Sequence, residues 1–180
     1  MANLPRKWNK RACSGSIAVE YVAALVVFFL FITFPAIDLA TIAYRYTLMS
    51  QITKECAHTA AISDSWTAAG STNDALSNAQ AVWQKWKTED SYAIKNATMR
   101  LRINSTDITT KAVTHNAWNA KLAAVPPAGV ICSVECNVAG DVNPLLYMVG
   151  SPINIPGVTS PMHFDLASQE LSENLTGLSQ

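Results

Sequence analysis

SGSIAVEYVAALVVFFLFITFPAI, residues 14–37, decides how the rest of the chain is read. It opens on small residues and carries one carboxylate, Glu20. It holds no charge from Tyr21 to Ile37, and Asp38 ends it. At about 1.5 Å per residue, a helix from Ile17 to Ile37 spans roughly 30 Å, the thickness of a bilayer's hydrocarbon core. A core helix of a soluble domain would show a polar stripe, whereas Val22 to Phe34 contains only Thr33. A cleaved secretory signal has an apolar run of about 7–15 residues, which is shorter. The stretch therefore reads as one transmembrane helix. Arg6, Lys7, Lys10 and Arg11 precede it with no acid among them. Basic flanks stay on the cytoplasmic side, which puts the N-terminus inside and the remainder outside.

Glu20 is the unusual residue of the run. A carboxylate in an apolar span costs about 2.5–3.5 kcal/mol at mid-bilayer and less toward the interface. An acid kept in that place is a functional candidate; its bland alternative is a seat among the headgroups.

Beyond Asp38 the apolar positions are Ile42, Tyr46, Met49, Ile52, Cys56 and Ala60, in steps of three and four. They form one face of an amphipathic helix, with Thr41, Arg45, Gln51, Lys54, Glu55 and His58 on the polar faces. The spacing predicts a single helix from about Ser16 to Ile62, interrupted at Pro35, which removes one backbone bond and kinks the helix. Ser63 to Thr72 reads as a loop. A second helix to about Thr88 follows, capped by Ser71 or Thr72, with Leu76, Ala79, Val82, Trp83 and Trp86 as its apolar side.

Two stretches alternate in the manner of half-buried strands. In ATMRLRIN, residues 97–104, Ala97, Met99, Leu101 and Ile103 face inward, and Arg100 and Arg102 face solvent. In VICSVECNV, residues 130–138, Val130, Cys132, Val134, Cys136 and Val138 share a face. Between them, Ile108–Thr114 is a candidate strand and Ala117–Val125 a candidate short helix. Residues 140–161 form a Pro- and Gly-rich connection with an apolar patch at Leu145–Val149, read as core cover or as a subunit contact. Met162 to Leu166 is a last strand, and Ser168–Gln180 a polar tail expected to fray. The fold class is α+β: a long N-terminal helix packed on a small antiparallel sheet.

The chain has four cysteines. Cys13 lies before the span. Cys56, Cys132 and Cys136 fall outside, where disulfides persist. A strand spacing of four residues covers about 13 Å, too far for bridged Cα atoms about 4.4–6.8 Å apart. A regular strand therefore predicts Cys56 bridged to Cys132 or to Cys136. A bulge or turn at Ser133–Glu135 would instead allow a local Cys132–Cys136 bridge. No histidine lies near Cys132 or Cys136 in sequence, which disfavours zinc.

A basic leader, Gly15, four residues, Glu20-Tyr21 and a long apolar helix together resemble the class III signal of type IV pilin-like proteins. Within that class the chain is most similar to the TadE/TadF-like minor pilins (pseudopilins) of the tight-adherence (Tad/Flp) system. The resemblance covers about residues 6–63. It implies a pilin-like fold and cleavage by a prepilin peptidase after Gly15, making Ser16 the new N-terminus. It also implies that Glu20, beside Tyr21, pairs with the N-terminal ammonium of a neighbouring subunit during assembly. The domains expected are a leader 1–15, a transmembrane helix 16–38, an extracytoplasmic α+β domain 39–168 with its helical spine 39–62, and a flexible tail 169–180. The partners implied are the peptidase, other pilin and minor pilin subunits, and an inner-membrane assembly platform. The location implied is the bacterial inner membrane, crossed once with the domain in the periplasm, or a surface pilus.

Charged residues make up 14% of the chain and the net charge is zero, so no basic surplus exists to hold nucleic acid. Searches for a phosphate loop, a nucleophile elbow, a His-Glu-x-x-His or a Cys-x-x-Cys find none. His58, His115 and His163 stand apart in sequence. The chain is read as a non-enzyme without a cofactor. The competing reading is an uncleaved, signal-anchored periplasmic binding domain in which Gly15 and Glu20 are incidental. A membrane-tethered enzyme would need a convergent polar pocket.

Overall fold

The computed structural model describes residues 12–67, 73–89, 94–145 and 155–180, with the side chains of all but 12–18 and 89. Helix α1 (Ala12–Phe28) passes through a π turn at Phe29–Thr33 into α2 (Phe34–Ala61). The interruption expected at Pro35 thus takes the form of a widened turn. The Phe34 N–H reaches the Phe29 carbonyl five residues back, and Pro35, which has no N–H to lose, occupies the first turn of α2.

Helix α3 (Ala75–Glu89) follows. Its cap is Asp74, whose carboxylate accepts from the Leu76 N–H at 3.2 Å and the Ser77 hydroxyl at 2.8 Å. The cap expected at Ser71 or Thr72 falls on residues outside the described ones. The sheet consists of β1 (Ile94–Asp107), β2 (Val113–His115), β3 (Val130–Val142) and β4 (Met162–Leu171), in the order β2-β1-β3-β4, every pair antiparallel. One extra residue bulges from β1 between Lys95 and Thr98, where Asn96 takes a positive φ of 53°.

The α+β architecture expected from sequence is the one observed. Helix α2 lies along the sheet. Its 28 residues cover about 42 Å, and the 13 residues of β3 cover about the same length. The direction is fixed at both ends. The Arg45 guanidinium donates to the Asn143 carbonyl just past β3, and the Glu173 N–H donates to the Ala61 carbonyl just past β4. Between these ends Ile42, Met49, Ile52, Cys56, Ala57 and Ala60 are buried against Leu101, Ile103, Val134 and Val138. Tyr46, expected on this face, sits at its margin and packs its ring 5.3 Å from that of Phe164. Ala57, Ala60 and Ala61 are small enough for α3 to approach, and Trp83 and Trp86 stack at 4.9 Å in the core.

Three expectations change. Ala117–Val125 is not a helix. The chain runs along the free edge of β1 instead, where the Asn116 N–H donates to Ile103 and the Asn119 N–H to Leu101. Ile108–Thr114 contains a turn and only the three-residue β2. The tail does not fray: Gly177–Ser179 forms a 3₁₀ turn, Leu178 is buried, and the Trp66 N–H donates to the Gly177 carbonyl at 2.9 Å.

Candidate functional site

The N-terminal half of the long helix is bare. Every large apolar side chain from Val19 to Ile32 is at least 39% exposed, although the run is the most apolar of the chain. The helix of Val19–Ala61 is long and apolar enough to cross a membrane in its first half, and its second half is the spine of the domain. Burying that exposed surface at about 25 cal/mol per Å² requires lipid or other chains.

Gly15 and Ser16 lie in α1. Glu20 and Tyr21 follow on its exposed surface. Ser16 and Glu20 are four residues apart, about one turn of α1. The leader residues 1–11 fall outside the described ones.

Cys56, Cys132 and Cys136 are fully buried free thiols. The bridge expected from Cys56 to Cys132 or Cys136 is not formed here. The alternative of a turn at Ser133–Glu135 fails, because β3 is regular there: Val134, Glu135 and Cys136 pair in step with Ile103, Arg102 and Leu101. Cys132 and Cys136 therefore cannot reach each other. The Cys136 thiol lies beside Cys56, and that proximity together with burial pushes its pKa well up. Cys56 also lies 3.6 Å from the Ala79 carbonyl, and Cys132 lies 3.5 Å from the Ser105 hydroxyl.

The outer face of the sheet holds a cluster that the sequence reading missed. Arg102, expected in solvent, is half-buried. Its Nε and Nη2 donate to Glu135 Oε2 and Oε1 at 2.8 and 2.7 Å. Glu135 also accepts from Asn104 at 2.6 Å and from Gln169 at 3.1 Å. Burial opposes the charge of Glu135, but these bonds and the Arg102 charge outweigh it and hold its carboxyl below the usual range. Asn104 Oδ1 lies 2.7 Å from His115 Nδ1, and the Trp118 ring lies under both guanidiniums, 4.4 Å from Arg102 and 5.1 Å from Arg100. A signal existed in the outward positions of the two strands, one basic and one acidic, but the register that sets Arg102 opposite Glu135 is not local information.

Every acceptor of Glu135 is engaged within the protein, and this arrangement holds the sheet together rather than presenting an acid or base. Among the described residues no group of three His, Cys, Asp or Glu is arranged to hold a metal ion. An open pocket of about 240 Å³ between α3 and β1 is lined by Leu76, Gln80, Trp83, Met99 and Asn119, without a titratable pair. His58 is exposed on α2, and His163 contacts Asp141 at 2.7 Å.

No family model matches the chain, and no curated protein or solved structure is similar to it.

Proposed function

We propose that this chain is a minor pilin or pseudopilin of the TadE/TadF-like kind, working in assembly of a Tad/Flp-type pilus. A prepilin peptidase cuts it after Gly15 on the cytoplasmic side. The span then holds it in the bacterial inner membrane, with the α+β domain in the periplasm. Glu20 guides its packing against other pilin subunits or an inner-membrane assembly platform. One observation carries this reading: a single continuous helix is bare through its apolar first half and is the core spine of a small antiparallel sheet through its second. A helix built so can exchange lipid for neighbouring helices without disturbing the domain. Glu20, one turn after Ser16, places a carboxylate where a new terminal ammonium of a neighbour would neutralise it, and each charge in a low-dielectric layer is costly alone.

The deciding experiment is the intact mass and N-terminal sequence of membrane-extracted protein from a host with its own prepilin peptidase. A chain beginning at Ser16 supports the reading. A chain retaining residues before Gly15 overturns it in favour of the uncleaved, signal-anchored periplasmic binding domain. The polar face around Arg100 and Trp118 would then be the first surface to test for a ligand.

A periplasmic domain meets oxidising conditions. Of the pairings open to three cysteines, the contact between Cys56 and Cys136 favours that one, with Cys132 left as a thiol beside Ser105.

A further inference from the structure

The domain begins where the apolar span ends. Asp38, one residue past Ile37, is 2% exposed, and Ile42 is 5% exposed. The loop at residues 155–160 closes on the helix at this level: a Cβ on Gly157 would come within 2.8 Å of Ile42 and 3.2 Å of Met162. Arg45 ties the other end of the same connection through the Asn143 carbonyl.

These levels translate into depth. At about 1.5 Å per residue, Ile42 stands roughly 7.5 Å above Ile37 and Arg45 roughly 12 Å. The headgroup layer is about 5–8 Å thick on each side of the hydrocarbon. With Ile37 at the hydrocarbon edge, the loop on Ile42 lies at headgroup depth. At that level Ile155, in the loop on Ile42, is 46% exposed, and just above it Leu145, two residues past the Asn143 carbonyl that Arg45 holds, is 55% exposed. Tyr44 adds an exposed ring on the helix itself, of the kind enriched at membrane interfaces. The opposite end of the domain, at β2 and the start of β3, is tens of ångströms away along the strands.

We infer that the rim formed by Leu145 and Ile155 is a lipid-contacting surface that seats the domain on the outer leaflet of the bilayer its own helix crosses. This inference rests on the membrane-spanning reading of residues 17–37, and on nothing specific to pili. It gives the domain a second attachment beside the helix, which fixes its height and tilt.

The test uses the full chain in phosphatidylcholine vesicles. Cys13→Ser is combined with one of Leu145→Cys, Ile155→Cys, Val113→Cys or Phe31→Cys, and each is labelled with an NBD dye. All four sites are exposed, so the core is untouched, and the three native thiols are buried away from the dye. Brominated phosphatidylcholine is then introduced as quencher. The expected result is quenching at 145 and 155 about twofold or more above that at 113, with emission shifted to the blue. Strong quenching at 31 with labels at 145 and 155 behaving as at 113 overturns the inference while leaving the span intact. Absence of quenching at 31 overturns the membrane-spanning reading, and the rim with it.

Discussion

Arg102 and Glu135 stand directly opposite each other on β1 and β3, joined by two hydrogen bonds of 2.8 and 2.7 Å. Glu135 is 5% exposed, and four protein donors converge on its two oxygens. Glu135→Ala leaves the Arg102 charge and the Asn104 amide without their partner on a covered face. The expected cost is about 1–3 kcal/mol. Urea denaturation of the detergent-solubilised chain, followed by tryptophan fluorescence, measures it. A loss well under half a kcal/mol would mean that water replaces the carboxylate at no cost.

The same pair predicts a pH dependence. The folded carboxyl titrates below its ordinary value of 4.5. Its contribution is therefore complete above that value and is lost as pH falls through the lower folded value. Asp107, held low chiefly by the N–H groups of Thr110 and Thr109, and Asp141, held low chiefly by Asn96, add to the acid sensitivity. Glu135→Gln separates the contributions. The gap in urea midpoint between wild type and variant should be constant near neutrality and shrink in acid. A gap independent of pH across the acid range would refute the charge as its source.

Cys56 and Cys136 predict a single cross-link in protein exported to an oxidising compartment. Two thiols lose two protons and two electrons to a disulfide oxidant, which is reduced to two thiols in turn. The bond would join the spine helix to the central strand. The loop closed between residues 56 and 136 is long, and such links stabilise by about 4 kcal/mol in the chain-entropy account. Non-reducing mass spectrometry after alkylation should find Cys132 modified and Cys56 linked to Cys136. Cys132→Ala should keep the link and Cys136→Ala should abolish it. Alkylation of all three without reduction would show that the pair stays reduced.

Leu178 and Gly177 predict that the last residues are structural. Leu178 is 3% exposed, and a Cβ on Gly177 would lie 2.0 Å from the Asp64 carbonyl oxygen. Leu178→Ala should cost about 2–3 kcal/mol. Gly177→Ala should force the tail away from Trp66 and raise proteolysis of residues 172–180. Wild-type stability in both variants would mean that the tail contributes nothing.

Which parts of this fold were legible follows from how local their causes are. The α2 stripe from Ile42 to Ala60 and the alternation of Leu101–Ile103 and Cys132–Val138 are set by helix and strand periods, and both are in the structure. The covering of Ala117–Val125 is not local. Asn116 and Asn119 are captured by the edge of β1, and Asn119 takes a φ of 57°, which ends a helix. The tail misled because Leu175 and Leu178 are spaced among polar residues, and only the surface under Trp66 and Asp64 gives them a seat. The Arg102–Glu135 pair needed the register. For Gly15 and Ser16 the fold supplies a helix, and for Glu20 a helix and an exposed position; nothing in the fold of the described residues assigns them a role.

Glu20 therefore carries the prediction that depends on partners. Glu20→Ala and Glu20→Gln remove a charge from an exposed position of α1, in sequence well before the α+β domain. Membrane insertion should be unchanged or improved, since a carboxylate in an apolar span is unfavourable. Thermal unfolding of the domain should be unchanged within about half a kcal/mol, the usual range for surface changes. On the proposed pilin reading, processing after Gly15 persists in these variants and pilus assembly, scored by shearing and electron microscopy, falls. Glu20→Asp keeps the charge on a shorter arm and should retain part of the activity. If Glu20→Ala cells make normal pili with the variant as their sole copy, Glu20 has no assembly role. If processing also stops, the residue acts in recognition by the peptidase rather than in subunit pairing.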